Sequence, residues 1–209
     1  MKKEVVLSIA VLLALVSSLF VPPSTAYLGY IDWDTLALLF CLMLVMKGIQ
    51  RTGAFVFLGN QLLKKTASSR KMLFILVFLP FLFSMAITND VALITFVPFG
   101  ITVLRMAKQE SLFIPTVVLQ TIAANLGSML TPMGNPQNLY LYGQSGMGFG
   151  NFCFLMLPYV LIAAGCLAVL VCLKKSIPIS AVTVPIQLGD RRELIFWILS
   201  FGICILGIF

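Results

Sequence analysis

Between Asn151 and Leu173 the chain reads "NFCFLMLPYVLIAAGCLAVLVCL", 23 residues without a single charge, and it stops at Lys174 and Lys175. A helix of about 20 such residues spans the hydrocarbon core of a bilayer. Apolar on every side, it has no polar face to turn to water. Charged residues are only 10% of the 209, where a soluble domain carries roughly 25%. Mean hydropathy is +1.07. The chain therefore reads as an all-α polytopic membrane protein.

The remaining apolar runs divide it further. Val5–Val21 follows Lys2 and Lys3 and ends at Pro22 and Pro23. It reads as a first membrane helix, with a signal peptide cleaved after "PSTA" as the alternative. Asp34–Met46 is a second span, stopping at Lys47 and Arg51. Residues 52–66 are moderately apolar and end in lysines, which suggests an interfacial amphipathic helix on the cytoplasmic face. Together, 1–71 form a scaffold-like part. Residues 72–150 form a transport-like part, 151–173 a membrane helix and 174–193 a cytoplasmic linker. Residues 194–209 begin another span and stop after 16 residues, so a partial permease is one expectation.

Net charge is +7 with no histidine. Lysine and arginine fall at the ends of apolar runs rather than in an aromatic-studded patch, so nucleic acid is not the expected partner. With the amino terminus in the cytoplasm, the outer segments 22–32 and 139–150 contain none of the 14 basic residues. That arrangement obeys the positive-inside rule and sets the orientation of a multi-pass cell-membrane protein. The five cysteines lie in apolar segments with no CxxC pair, and no histidine completes a zinc site, so no cofactor is expected. Asp32 and Asp34 read as a solvated interfacial pair, with Asp34 placed to cap the second span. Tyr30 and Trp33 read as interface anchors.

Two segments interrupt the apolar pattern. Met72–Ile87 and Val91–Met106 are arms of 16 residues each, short for a crossing, joined by "TND" at 88–90. Basic residues flank both outer ends, which fits a re-entrant hairpin as well as two short tilted spans. The second interruption is "GSMLTPMGNPQN" at 127–138. Pro132 and Pro136 lack an N–H and break a helix. Gly127 and Gly134 allow positive φ or close backbone approach. Asn135-Pro136 is a helix-start signal, with asparagine as N-cap and proline at the first helical position. Thr88 or Asn89 could cap the arm beginning near Val91. Irregular backbone at membrane depth persists only where protein or a watery cavity satisfies it. A helix that starts there offers N–H groups to an anion, and one that ends there offers carbonyls to Na+. Thr88, Asn89, Ser128, Thr131, Asn135 and Asn138 add oxygen ligands. Asp90 is the ionisable residue set at depth, suited to Na+, a proton or a substrate-borne cation.

These residues carry a family resemblance. "FLFSMAITNDVALITFVPFGITVL" (81–104) resembles the first hairpin of the ion-transporter superfamily, which includes divalent anion–sodium symporters, citrate transporters, arsenite permeases and one branch of Na+/H+ antiporters. "NLGSMLTPMGNPQNLYLY" (125–142) resembles its break, G-G-x-x-T-x-x-G-x-P-x-N, at Gly127, Thr131, Gly134, Pro136 and Asn138. "FGNFCFLMLPYVL" (149–161) is similar to the segment that follows. The resemblance implies an inverted-repeat fold of which this chain is the amino-terminal half, and a homodimer. In the symporter branch the positions that Thr88, Asn89 and Gly127 match help hold the first Na+ and touch the substrate; taken with the oxygen ligands named above, Na+ is expected at Asn89, Asp90, Gly127 and Thr131. The dicarboxylate branch reads Ser-Asn-Thr at the tip. Asp90 here is closer to the arsenite-permease branch, so the substrate could be a neutral oxyacid.

The expected function is secondary active transport of a small anion or oxyacid coupled to Na+ or H+, with a cation/proton antiporter as an alternative. An enzyme is not expected. An intramembrane aspartyl protease needs two carboxylates at depth, and only Asp90 lies there. A channel filter would need symmetric rings of ligands.

Overall fold

The computed structural model describes residues 5–22, 24–64, 66–179, 184 and 189–206. Lys2, Lys3, Pro23, Lys65, Pro185 and the side chain of Tyr30 lie outside the described residues. The chain divides into two units, Met1–Leu36 and Ala37–Phe209.

In the first unit, α1 (Val5–Phe20) buries none of its residues, as expected of a helix whose surroundings are lipid. α2 (Trp33–Arg51) begins at the end of this unit. Its cap is Asp32 rather than Asp34. The Asp32 carboxylate accepts from the Thr35 N–H at 3.0 Å and from its hydroxyl at 2.8 Å. Side-chain reach decides the matter, because a cap must lie outside the first turn to fold back on it. Both bonds favour the charged form and hold the Asp32 carboxyl below its ordinary value. The Trp33 indole donates to the Leu28 carbonyl at 3.1 Å, and the ring stays exposed.

The second unit is built around α4 (Ser69–Phe83). Met72, Leu76 and Leu79 lie on one face, and Leu73, Val77 and Phe81 on another; all six are buried. A helix apolar on two faces is covered on both. The first face meets α2, α3 (Ala54–Leu63) and α5 (Asn89–Met106) through Met46, Phe55, Phe96 and Phe99. The second meets α6 (Phe113–Gly127) and α8 (Phe149–Cys172) through Leu119, Ala123, Val160 and Leu167. On α8 only Phe152, Val160, Leu167 and Val171 are buried, a single stripe at spacings of eight, seven and four residues, and most of the helix is left for lipid.

Among the described residues, four segments are long and apolar enough to cross a membrane: Trp33–Arg51, Asn89–Met106, Glu110–Leu130 and Phe149–Cys172. α4 has 15 residues, about 22 Å at 1.5 Å per residue. α7 (Pro136–Ser145) has 10, about 15 Å, half a crossing. The chain is an all-α polytopic membrane protein.

Two segments also pack against the core. α3 is amphipathic, with Phe57, Leu58 and Leu62 exposed on one side. α3 buries Phe55, Gly59, Asn60 and Leu63, and a Cβ on Gly59 would come within 2.8 Å of the Phe99 ring. The 174–193 linker is also tied down. Ser68 and Pro178 form a β-bridge, and Asn60 exchanges two hydrogen bonds with the Val184 backbone at 2.6 and 3.0 Å. α9 (Arg191–Leu206) then returns, and its Trp197 ring lies flat on Gly48 of α2, where a Cβ would be 2.1 Å away.

Candidate functional site

The hairpin arms are α4 and α5, joined by residues 84–88. Thr88 is the N-cap of α5 and accepts from the Val91 N–H at 3.5 Å. Asp90 stands in the first turn of that helix. Asn89 accepts from the Asp90 N–H at 2.9 Å with its oxygen, and its amide nitrogen donates to Asn125 Oδ1 at 2.9 Å. Asn125 belongs to α6, so the tip of the hairpin is bonded to the end of the helix that breaks.

The break follows at once. α6 ends at Gly127, short 3-10 turns cover 128–130 and 132–134, and α7 starts at Pro136. Asn135 caps α7, accepting from the Asn138 N–H at 2.8 Å, with Pro136 at the first helical position. The carbonyls that the break releases are not left bare. The Asn138 amide nitrogen lies 3.3, 3.0 and 3.2 Å from the oxygens of Ser128, Met129 and Thr131. Asn135 donates to Ser128 Oγ at 3.2 Å. A buried carbonyl without a donor costs about 1–3 kcal/mol, so asparagine at 138 makes the interruption tenable.

Close approach, not positive φ, explains the two glycines. Gly127 is helical with φ −65°, and the described glycines with positive φ are Gly53 and Gly146. A Cβ on Gly127 would lie 2.0 Å from the Phe81 carbonyl oxygen of α4, and one on Gly134 would lie 2.1 Å from the Ser128 oxygen. The Thr131 hydroxyl donates to the Met85 carbonyl just before the hairpin tip. Hairpin and break are thus joined by hydrogen bonds at Asn89–Asn125 and Thr131–Met85, and by close packing at Gly127.

Deeper in the packing, Gln120 is fully buried on α6. Pro80 has no N–H to give the Leu76 carbonyl one turn before it. The Gln120 amide supplies the missing donor, bonding Leu76 O at 2.9 Å and Phe96 O of α5 at 3.0 Å. Gly100 makes room for it, since a Cβ there would stand 3.0 Å from the Gln120 nitrogen.

A cavity of about 390 Å³ opens beside the two helix starts. Thr88 and Asp90 line it from α5, Pro136 from α7, and Lys47 and Gln50 from α2. Its remaining wall is aliphatic and aromatic. Among the described residues no three histidine, cysteine or acidic side chains group as a metal site.

Comparison with known proteins gives the chain a family. The model of the citrate transporter family matches residues 2–209. The chain belongs to the citrate transporter family. The inner membrane protein YbiR of Escherichia coli is 38% identical over 145 residues, covering 68% of this chain and 38% of YbiR. An uncharacterized transporter of Methanocaldococcus jannaschii is 31% identical over 86% of this chain and 49% of its own. A silicon efflux transporter of rice, Oryza sativa subsp. japonica, is 32% identical over 65% of this chain and 27% of its own. The chain thus spans less than half the length of these relatives. No solved structure matches it.

In this citrate transporter family member the nine residues singled out from the sequence separate into groups. Thr88 and Asp90 line the cavity. Asn89, Thr131 and Asn135 are half-buried at the junction of hairpin and break. Gly127, Ser128, Gly134 and Asn138 are buried within the break. Asn138 turns its nitrogen, not its oxygen, to the carbonyls. Sequence reasoning missed Asn125, Gln120, Lys47 and Gln50. Lys47 reads as an ordinary basic flank. Gln120 carried a signal: an amide inside an apolar stretch, in a chain whose neighbouring helix has an interior proline.

Proposed function

We propose that the chain forms a substrate- and ion-binding half of a secondary active transporter for a small anion or oxyacid, coupled to Na+ or H+. One observation carries the reading: the starts of α5 and α7 line the same cavity, and they differ in charge. Asp90 sits in the first turn of α5, while α7 has no acidic residue in its first turn. A helix start carries about half a positive charge. At α5 the carboxylate reverses that field and favours a cation. At α7 nothing reverses it, and an anionic or hydroxyl oxygen is favoured. Adjacent places for opposite charges are what coupled transport of an oxyacid with a cation requires.

Na+ would be held near Asn89 and Asp90. Gly127 and Thr131 would act from behind, by fixing the tip against the break. The cavity volume lies at the small end of ligand sites, suited to a compact solute. The names of relatives support the class: one family is described by citrate, one relative by silicon efflux. A homodimer with its amino terminus in the cytoplasm completes the proposal.

The test is uptake by the full gene product in proteoliposomes, with citrate, arsenous acid and silicic acid offered under imposed Na+ or pH gradients. Accumulation of at least one solute that collapses with its gradient is expected. Equal fluxes with and without both gradients, for every solute, would overturn the reading.

A further inference from the structure

We propose that Arg70, Lys71, Lys174 and Lys175 form a binding site for the headgroup of an anionic phospholipid, at the end of the molecule where α4 starts and α8 ends. The site lies outside the cavity and does not depend on the transport reading. Its frame is a short antiparallel pairing between the chain that enters α4 and the chain that leaves α8. The Ser69 N–H donates to the Ile177 carbonyl at 2.8 Å, and the Ile177 N–H donates to the Ser69 hydroxyl at 2.9 Å. The Ile179 N–H reaches the Ala67 carbonyl at 3.1 Å, and the Ser68 and Ser176 hydroxyls stand 2.6 Å apart. The Arg70 Nε–H donates to the Lys174 carbonyl at 2.9 Å. Two basic pairs that are 104 residues apart in sequence are thereby held side by side.

Four cations gathered at one place repel each other unless an anion joins them. Acidic residues are absent between Asp34 and Asp90 and again between Glu110 and Asp190. Among the described residues none of the four is held in an ion pair, and all four are exposed. Arg70 uses its Nε on the carbonyl and keeps both terminal nitrogens, a fork that matches two oxygens of a phosphate.

Depth favours a lipid phosphate over a dissolved one. α8 has 24 residues, about 36 Å, enough to cross the hydrocarbon layer, so the lysines just past its end stand at headgroup level. Apolar surface continues from the same place. Leu173 is 76% exposed at the end of α8. Phe74, 39% exposed, follows Lys71 by one turn and stacks on Phe78 with ring centroids 4.3 Å apart. A dissolved anion gains nothing from that surface, whereas acyl chains cover it. Clusters of lysine and arginine at a membrane face attract anionic headgroups by the same electrostatics. A lipid bound here fastens the first turn of α4, one arm of the hairpin, to the end of α8.

The experiment is native mass spectrometry of the detergent-solubilised full gene product with phosphatidylglycerol, phosphatidylcholine or inorganic phosphate. It is repeated with Arg70→Gln/Lys71→Gln, with Lys174→Gln/Lys175→Gln, and with Arg191→Gln/Arg192→Gln, an exposed basic pair at the start of α9. Phosphatidylglycerol should bind at least tenfold more tightly than phosphatidylcholine. Each of the first two variants should weaken it roughly ten- to thirtyfold, about fivefold per cation. The α9 variant should stay within twofold, and inorganic phosphate at equal concentration should not displace the lipid. Residues 174 and 175 give the frame only backbone oxygens, so their variant keeps it standing and decides alone if the Arg70 variant fails to fold. The proposal is overturned if the two lipids bind alike, if the lysine pair leaves binding within twofold, if the α9 pair weakens it equally, or if inorganic phosphate displaces the lipid.

Discussion

Gly127→Ala tests how the broken helix is held. A Cβ at this position would stand 2.0 Å from the Phe81 oxygen, 2.8 Å from the Phe81 carbonyl carbon and 2.8 Å from the Ser84 hydroxyl. A carbon–oxygen contact settles near 3.3 Å, so α6 and α4 would have to part by roughly 1.3 Å. The obstacle is backbone, and no side-chain rotation relieves it. A gap of 0.5–1 Å already forfeits about a quarter to a half of each dispersion well it opens. The wells at risk join Leu73, Val77 and Phe81 to Leu119 and Ala123, all buried. Overpacking costs about 1–3 kcal/mol, and a backbone clash belongs at the upper end. Near 3 kcal/mol, the ratio of folded to unfolded protein falls on the order of a hundredfold. The assay is thermal unfolding in detergent followed by intrinsic fluorescence, beside Gly143→Ala. Gly143 lies in α7 with open space around its Cβ position, so alanine there should be neutral or stabilising by up to about 1 kcal/mol. If Gly127→Ala melts with the wild type, or if both substitutions destabilise alike, the close approach of the two backbones is not what requires glycine.

Other perturbations separate the parts of the site. Gln120→Leu roughly keeps the volume but leaves the Leu76 carbonyl, which faces Pro80, without a donor, so a loss of about 1–3 kcal/mol should appear in the same assay; Gln120→Glu should cost more, because a carboxylate cannot donate. Asn138→Ala removes the donor to three carbonyls of the break, and a loss of about 2 kcal/mol with faster amide exchange at 128–134 is expected by hydrogen–deuterium exchange. For the Asp32 cap, the folded carboxyl is depressed from its ordinary 3.8. Its contribution is therefore complete above that value and lost as pH falls through the lower folded value. The melting difference between wild type and Asp32→Ala should be constant near neutrality and shrink only in acid below pH 3.8.

What could be read from the residues was local and steric. Pro136 after Asn135 announced a helix start because proline has no N–H to miss and asparagine has an oxygen to offer. The 23 uncharged residues ending at Leu173 announced a span by solvation alone. Charge on a helix was legible only as a flank, which is why Lys47 passed as an end marker and Asp34 was preferred to Asp32. For α3 the residues show an amphipathic helix but not what its apolar face touches, because the 2.8 Å approach of Phe99 to the Cβ position of Gly59 crosses between helices and leaves no local mark.

The bonds that tie hairpin, α6 and break together could not be read at all, because each joins residues far apart in the sequence: Asn89 to Asn125, Thr131 to Met85, Gln120 to Leu76. Yet these bonds bear most on transport. While these bonds hold, the hairpin tip and the start of α7 move as one. On the proposed transport reading, exchange of cavity access would then carry α4, α5, α6 and the start of α7 together, past α2. Lys47 and Gln50 stand on the far wall of that boundary, so a solute bound between them and Pro136 would bridge the parts that have to move relative to each other.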